Sequence, residues 1–127
     1  MRRPWPLLLL LLAACDPAPA GEIRLDLLSP ADGDVVCGDP LVVATEVENF
    51  ALTNDLDEQE GDRVGHLHVF LNGQEVIQGG EETVSVNGIP EGEYQLRVEL
   101  ALASHDALDP YVGTTIYITV DNTLCSE

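Results

Sequence analysis

The sequence predicts an all-β domain, two packed antiparallel sheets built from about seven strands, and three observations lead there. Apolar and polar residues alternate in several stretches, most clearly over residues 94 to 102. Turn-forming pairs and clusters, among them Asn72-Gly73 and Gly79-Gly80, punctuate these stretches at short intervals. No segment of the chain beyond residue 22 offers a good amphipathic helix.

The first strand is expected at residues 23 to 28, ended by Ser29-Pro30-Ala31-Asp32-Gly33-Asp34. The second spans 41 to 48, with Leu41, Val43, Thr45 and Val47 on one face. A third, at 66 to 71, passes through Asn72-Gly73 into a fourth at 74 to 77, since Asn-Gly supplies the positive backbone angles of a tight hairpin. Residues 82 to 86 make a fifth, and Asn87-Gly88-Ile89-Pro90-Glu91-Gly92 turns the chain into the sixth at 94 to 102. There Tyr94, Leu96, Val98, Leu100 and Leu102 alternate with Gln95, Arg97, Glu99, Ala101 and Ala103. A seventh at 114 to 120 sets Ile116, Ile118 and Val120 against Thr115, Tyr117 and Thr119.

The run Pro90-Glu91-Gly92-Glu93-Tyr94-Gln95-Leu96 resembles the Gly-x-Tyr-x-Leu entry into a late strand of immunoglobulin-like and fibronectin-like sandwiches. The resemblance covers residues 23 to 120 and implies that Tyr94 is a corner tyrosine. It also implies that the third and sixth strands are antiparallel neighbours. The inter-sheet cysteines and core tryptophan of antibody domains have no counterparts, Trp5 being the only tryptophan.

The N-terminus has a different character. Met1-Arg2-Arg3 precedes an apolar stretch with six consecutive leucines, too short to span a bilayer, which needs roughly 20 helical residues. Leu12-Ala13-Ala14-Cys15 resembles a lipobox, the motif of bacterial lipoproteins. That resemblance implies a signal peptide over residues 1–14 and a cysteine, Cys15, carrying fatty acyl chains such as palmitate. Residues 15–22 then form a lipidated, proline-rich tether and 23–127 the sandwich. Multiple acyl chains suffice for stable anchoring. The expected location is the cell envelope, on the periplasmic face of a membrane or the cell surface, with the lipid bilayer as first partner.

With Cys15 taken by lipid, Cys37 and Cys125 remain as an even pair in an oxidising compartment, and a disulfide between them is expected. Two buried thiols are the alternative.

The formal charge of −18 becomes −20 once Arg2 and Arg3 leave with the signal, and lysine is absent. Such a field repels nucleic acid and concentrates cations. It serves equally as a solubilising surface.

All three histidines lie close in the expected fold. His66 and His68 stand two apart in Gly65-His66-Leu67-His68, hence on one strand face, and His105 lies in Ala103-Ser104-His105-Asp106, just past the sixth strand. Leu67, Val69 and Leu71 take the core side, leaving His66, His68 and Phe70 outward. Adjacency of the third and sixth strands would bring His105 toward this pair and place Glu99 opposite it. His66, His68, His105 and Glu99 would make a ligand set that zinc or copper(II) accepts. An aromatic and imidazole ladder on an exposed sheet face is the plainer expectation.

Leu28-Ser29-Pro30-Ala31-Asp32-Gly33-Asp34-Val35-Val36 resembles the opening of periplasmic copper-resistance sandwiches of the CopC type, though Cys15 stands where their N-terminal histidine would be and Asp109 near their late one. His-x-His on a strand is similar to copper-zinc superoxide dismutase, but the remaining ligands of its dinuclear site are missing. Asp55, Asp57, Glu58, Glu60 and Asp62 make a dense acidic loop without EF-hand spacing. Ser104-His105-Asp106 contains the letters of a triad, yet neighbouring residues cannot converge as one. No phosphate-binding glycine motif is present. The sequence therefore favours a non-enzymatic, membrane-tethered binding or structural module with an unspecified protein or small-ligand partner. The second reading is a transition-metal-binding protein using His66, His68 and His105. An enzyme is the least favoured, because no general base accompanies the histidines.

Overall fold

A computed structural model describes residues 21–54 and 63–125, and within them the chain forms a two-sheet β-sandwich. Cys15, its signal segment and the acidic loop from Asp55 to Asp62 lie outside the described residues. Among the described residues there are nine strands: β1 (Arg24–Ser29), β2 (Val35–Val36), β3 (Leu41–Glu48), β4 (Ala51–Leu52), β5 (Val64–Leu71), β6 (Gln74–Gly79), β7 (Thr83–Val86), β8 (Gly92–Leu102) and β9 (Gly113–Val120). A single 3-10 turn, Asn122–Leu124, follows, capped by the Asp121 carboxylate accepting from Thr123 N. No helix among the described residues is long and apolar enough to cross a membrane.

One sheet has the order β1-β3-β7; the other runs β2-β9-β8-β5-β4, with β6 also paired to β5. The inner faces follow the period of two. Leu41 and Val43 of β3 and Val84 and Val86 of β7 meet Leu67, Val69 and Leu71 of β5, Leu96, Val98 and Leu100 of β8, and Ile118 and Val120 of β9. Each such fully buried aliphatic side chain contributes roughly 1.5–3 kcal/mol by leaving water.

All seven expected strands are there, and two more besides. β2 and β4 are two residues each and pair in parallel, β2 with β9 and β4 with β5, so the second sheet is mixed rather than purely antiparallel. The expected corner is present too: Tyr94 Oη donates to the Pro90 carbonyl at 2.7 Å, tying the mouth of β8 to the preceding turn. Cys37 and Cys125 are joined in a disulfide with their Cα atoms 4.9 Å apart, across a sequence separation of 88. Closing so long a loop restricts the unfolded chain and is worth roughly 4 kcal/mol.

Candidate metal centre

The site grows out of the pairing of β5 with β8. The two strands are antiparallel with His66 opposite Ala101, His68 opposite Glu99 and Phe70 opposite Arg97. Gly65 makes the close approach possible, because a Cβ there would overlap the carbonyl oxygen of Ala101. The histidines consequently share the outer face of the sheet with Glu99 and Ala101, as alternation requires.

That outer face is covered. His66 is 1% exposed and His68 4%, where the sequence suggested an open sheet surface. Two segments whose course the strand pattern does not reveal border the site. β4 is laid beside the start of β5, where Thr53 N donates to the Gly65 carbonyl at 2.8 Å. After β8 the chain folds back tightly: His105 N donates to the Leu102 carbonyl at 2.7 Å and Leu102 N to that of Asp106 at 2.8 Å. His105 sits in this turn with φ of 76°, a left-handed conformation unusual for a residue with a Cβ. The turn delivers its ring to the other two.

The three imidazoles form one cluster. Ring centroids are 4.6 Å apart for His66 and His68, 5.0 Å for His66 and His105, and 5.8 Å for His68 and His105. One nitrogen from each lies within 4.8 Å of the others. Among the described residues no carboxylate belongs to that close group. A tetrahedral ion with bonds of about 2.0–2.1 Å holds its nitrogens about 3.4 Å apart, so side-chain adjustments of about 1 Å would bring the three nitrogens to ligand spacing.

The surrounding hydrogen bonds say which nitrogens are available. Both ring nitrogens of His66 and Nε2 of His68 are buried with no hydrogen-bond partner among the described residues. Leaving such a group unpaired costs about 1–3 kcal/mol. Nδ1 of His68 lies 3.7 Å from Oε1 of Glu75, whose other oxygen accepts from Gln78 Nε2 at 2.9 Å. Glu75 thus lies beside His68 beyond hydrogen-bond distance, where its negative charge favours a proton on Nδ1 and an acceptor at Nε2. Glu75 does not stand out in the sequence. Its signal was the Asn72-Gly73 hairpin, which returns β6 along β5 and pairs Glu75 with Phe70 and Gln78 with His68.

Glu99 stands opposite His68, but its carboxylate is engaged: Oε1 accepts from Tyr111 Oη at 3.0 Å and pairs with Arg97 Nε at 3.3 Å. Arg97 in turn lies 4.1 Å from the centroid of the Phe70 ring. Asp106 accepts from Ser104 Oγ at 3.1 Å. Burial, reinforced by the neighbouring imidazoles His68 and His105, lowers the pKa of His66 to about 4. Burial lowers that of His68 as well, against the opposing pull of Glu75 and Glu99. At neutral pH both rings are therefore in the neutral form that metals require.

A cavity of about 380 Å³ adjoins the cluster, lined by Thr53, Asn54, His66, Gln78, Gly79 and His105. Its wall is held by Asn54 Oδ1, which accepts from Gly80 N at 2.8 Å. A larger cleft of about 720 Å³ between β1 and the chain before β9 contains no histidine. Its arginines are already committed, Arg24 to Asp26 and Glu48 and Arg63 to the carbonyls of Gly21 and Asn49. The chemistry lies with the smaller space.

No protein-family model and no curated protein matches the chain. Among solved structures it is similar to fibronectin(III)-like modules of Clostridium thermocellum CbhA, with TM-score 0.52 and 12% identity over 80% of this chain and 100% of that one. An engineered protein aligns at TM-score 0.49 and 14% identity, over 81% of this chain and 21% of the other. The first likeness establishes the immunoglobulin-like sandwich fold and, at that identity, nothing about activity.

Proposed function

We propose that this chain is a cell-envelope lipoprotein, anchored through acylated Cys15, whose sandwich is a non-enzymatic module holding one divalent transition metal on His66, His68 and His105. The lipobox and signal segment support the anchor. The observation that carries the metal reading is the convergence of three imidazoles, with three buried ring nitrogens on His66 and His68 that have no hydrogen-bond partner among the described residues. Structural histidines at such burial are normally satisfied by hydrogen bonds. Zinc or copper(II) suits the all-nitrogen set. The net charge of the chain favours cation entry.

A purely structural imidazole ladder is the second reading, favoured by the continuous ring contacts from His105 through His66 and His68 to Phe70. Calorimetric titration of the purified protein with zinc and with copper(II) separates the two. Binding of one equivalent, lost in a His66→Gln, His68→Gln variant that retains the β-sheet circular dichroism spectrum, supports the metal centre. Equal binding by both proteins, or none by either, leaves only the ladder.

A further inference from the structure

Resting on the three-histidine reading, we infer that a metal held there keeps one coordination position open toward the 380 Å³ cavity, where it takes a small exogenous oxygen or nitrogen donor. Three features lead to this. The close group of ligand atoms contains three nitrogens and, among the described residues, no carboxylate, whereas zinc and cobalt(II) favour at least four ligands. Among the described residues the neighbouring carboxylates already have partners: Glu99 Oε1 has Tyr111 and Arg97, Glu75 has Gln78 and His68, and one oxygen of Asp106 has Ser104. The cavity touches His66 and His105 but not His68, which is backed instead by Glu75 and Phe70.

The side of the cluster remote from His68 is therefore where a fourth donor has room. That space is walled by Thr53, Asn54 and Gln78, polar residues suited to a hydrated or anionic ligand. Three neutral imidazoles leave the ion's two positive charges uncompensated by its ligands, which favours hydroxide or another small anion over a neutral donor. The volume admits a molecule of a few heavy atoms together with water, and the acidic exterior disfavours polyanions. The exchange is a simple substitution: bound water leaves as the donor's lone pair enters, with no change in oxidation state.

Cobalt(II) provides the probe, because its visible ligand-field bands report both binding by nitrogen donors and the identity of the remaining ligand. The full chain is loaded with one equivalent of cobalt(II) at neutral pH and titrated with sodium azide and, separately, with acetate. Intense visible bands that shift saturably with azide are expected, with a weaker shift for acetate. Intense bands that do not move with either anion would overturn the open position while leaving the three-histidine centre standing. A spectrum no different from hexaaqua cobalt(II) would remove the underlying metal centre, and this inference with it.

Discussion

Glu99 of β8 is the cross-strand partner of His68 of β5, yet its Oε1 is taken by Tyr111 and Arg97, while Glu75 of β6 lies 3.7 Å from His68 Nδ1. Two acids thus flank one imidazole in different capacities. Glu99→Gln is expected to change zinc affinity less than about tenfold but to lower stability by about 1–3 kcal/mol, because Arg97 and Tyr111 lose a charged acceptor. Glu75→Gln is expected to weaken zinc roughly 10- to 100-fold, the usual effect of removing the group that orients a ligating histidine. Calorimetry and urea denaturation of both variants check the pair. A larger loss of zinc affinity in the Glu99 variant would make Glu99 a ligand instead.

The parts of the site legible in sequence were those that follow from alternation. His-x-His puts two rings on one face, the Tyr94-to-Leu102 period identifies β8, and the corner at Tyr94 implies the order that sets β5 beside β8. Burial of those rings was not legible. Alternation distinguishes the two faces of a sheet but carries no information about what covers the outer one. Here Thr53 and Asn54, just past two-residue β4, which is too short to show a period, line the space beside His66 together with a turn that places His105 by a left-handed backbone angle. Parallel pairings of β2 and β4 likewise depend on tertiary context rather than local pattern.

Burial of His66 makes acid sensitivity a property of the site. Unfolded, its imidazole takes a proton near pH 6.5; folded and metal-free, only near pH 4. Between those values the unfolded chain binds the additional proton, so stability is undiminished above pH 6.5 and falls as pH drops toward 4. The full effect is about 3 kcal/mol at most, each pKa unit being worth about 1.4. Urea denaturation of the metal-free protein at several pH values across this window should show the decline, and a His66→Gln variant should show a shallower one. Parallel profiles for the two proteins would mean that His66 does not carry the effect.

Lipid anchorage predicts that a Cys15→Ala precursor is neither cleaved nor acylated in a bacterial host, and that the wild type made in the presence of globomycin is acylated but not cleaved. Radiolabelled palmitate incorporation and membrane fractionation report this directly. Unchanged labelling of the Cys15→Ala protein would end the lipobox reading. The sandwich disulfide has its own check: Cys37 and Cys125 should resist alkylation until a reductant is added.

The left-handed turn at His105 separates the role of its ring from that of its backbone. A residue with a Cβ at φ of 76° bears a steric cost of about 1–2 kcal/mol that glycine escapes, partly offset by glycine's larger entropy in the unfolded chain. His105→Gly should therefore be more stable than His105→Ala by about 1 kcal/mol, measured by urea denaturation without metal. If the imidazole is a ligand, both variants should bind zinc more weakly by at least the roughly 10- to 100-fold typical of losing a supporting group, and by equal amounts. Recovery of affinity in one variant but not the other would tie binding to turn geometry. Wild-type affinity in both would place His105 outside the centre, leaving His66 and His68 as an incomplete pair.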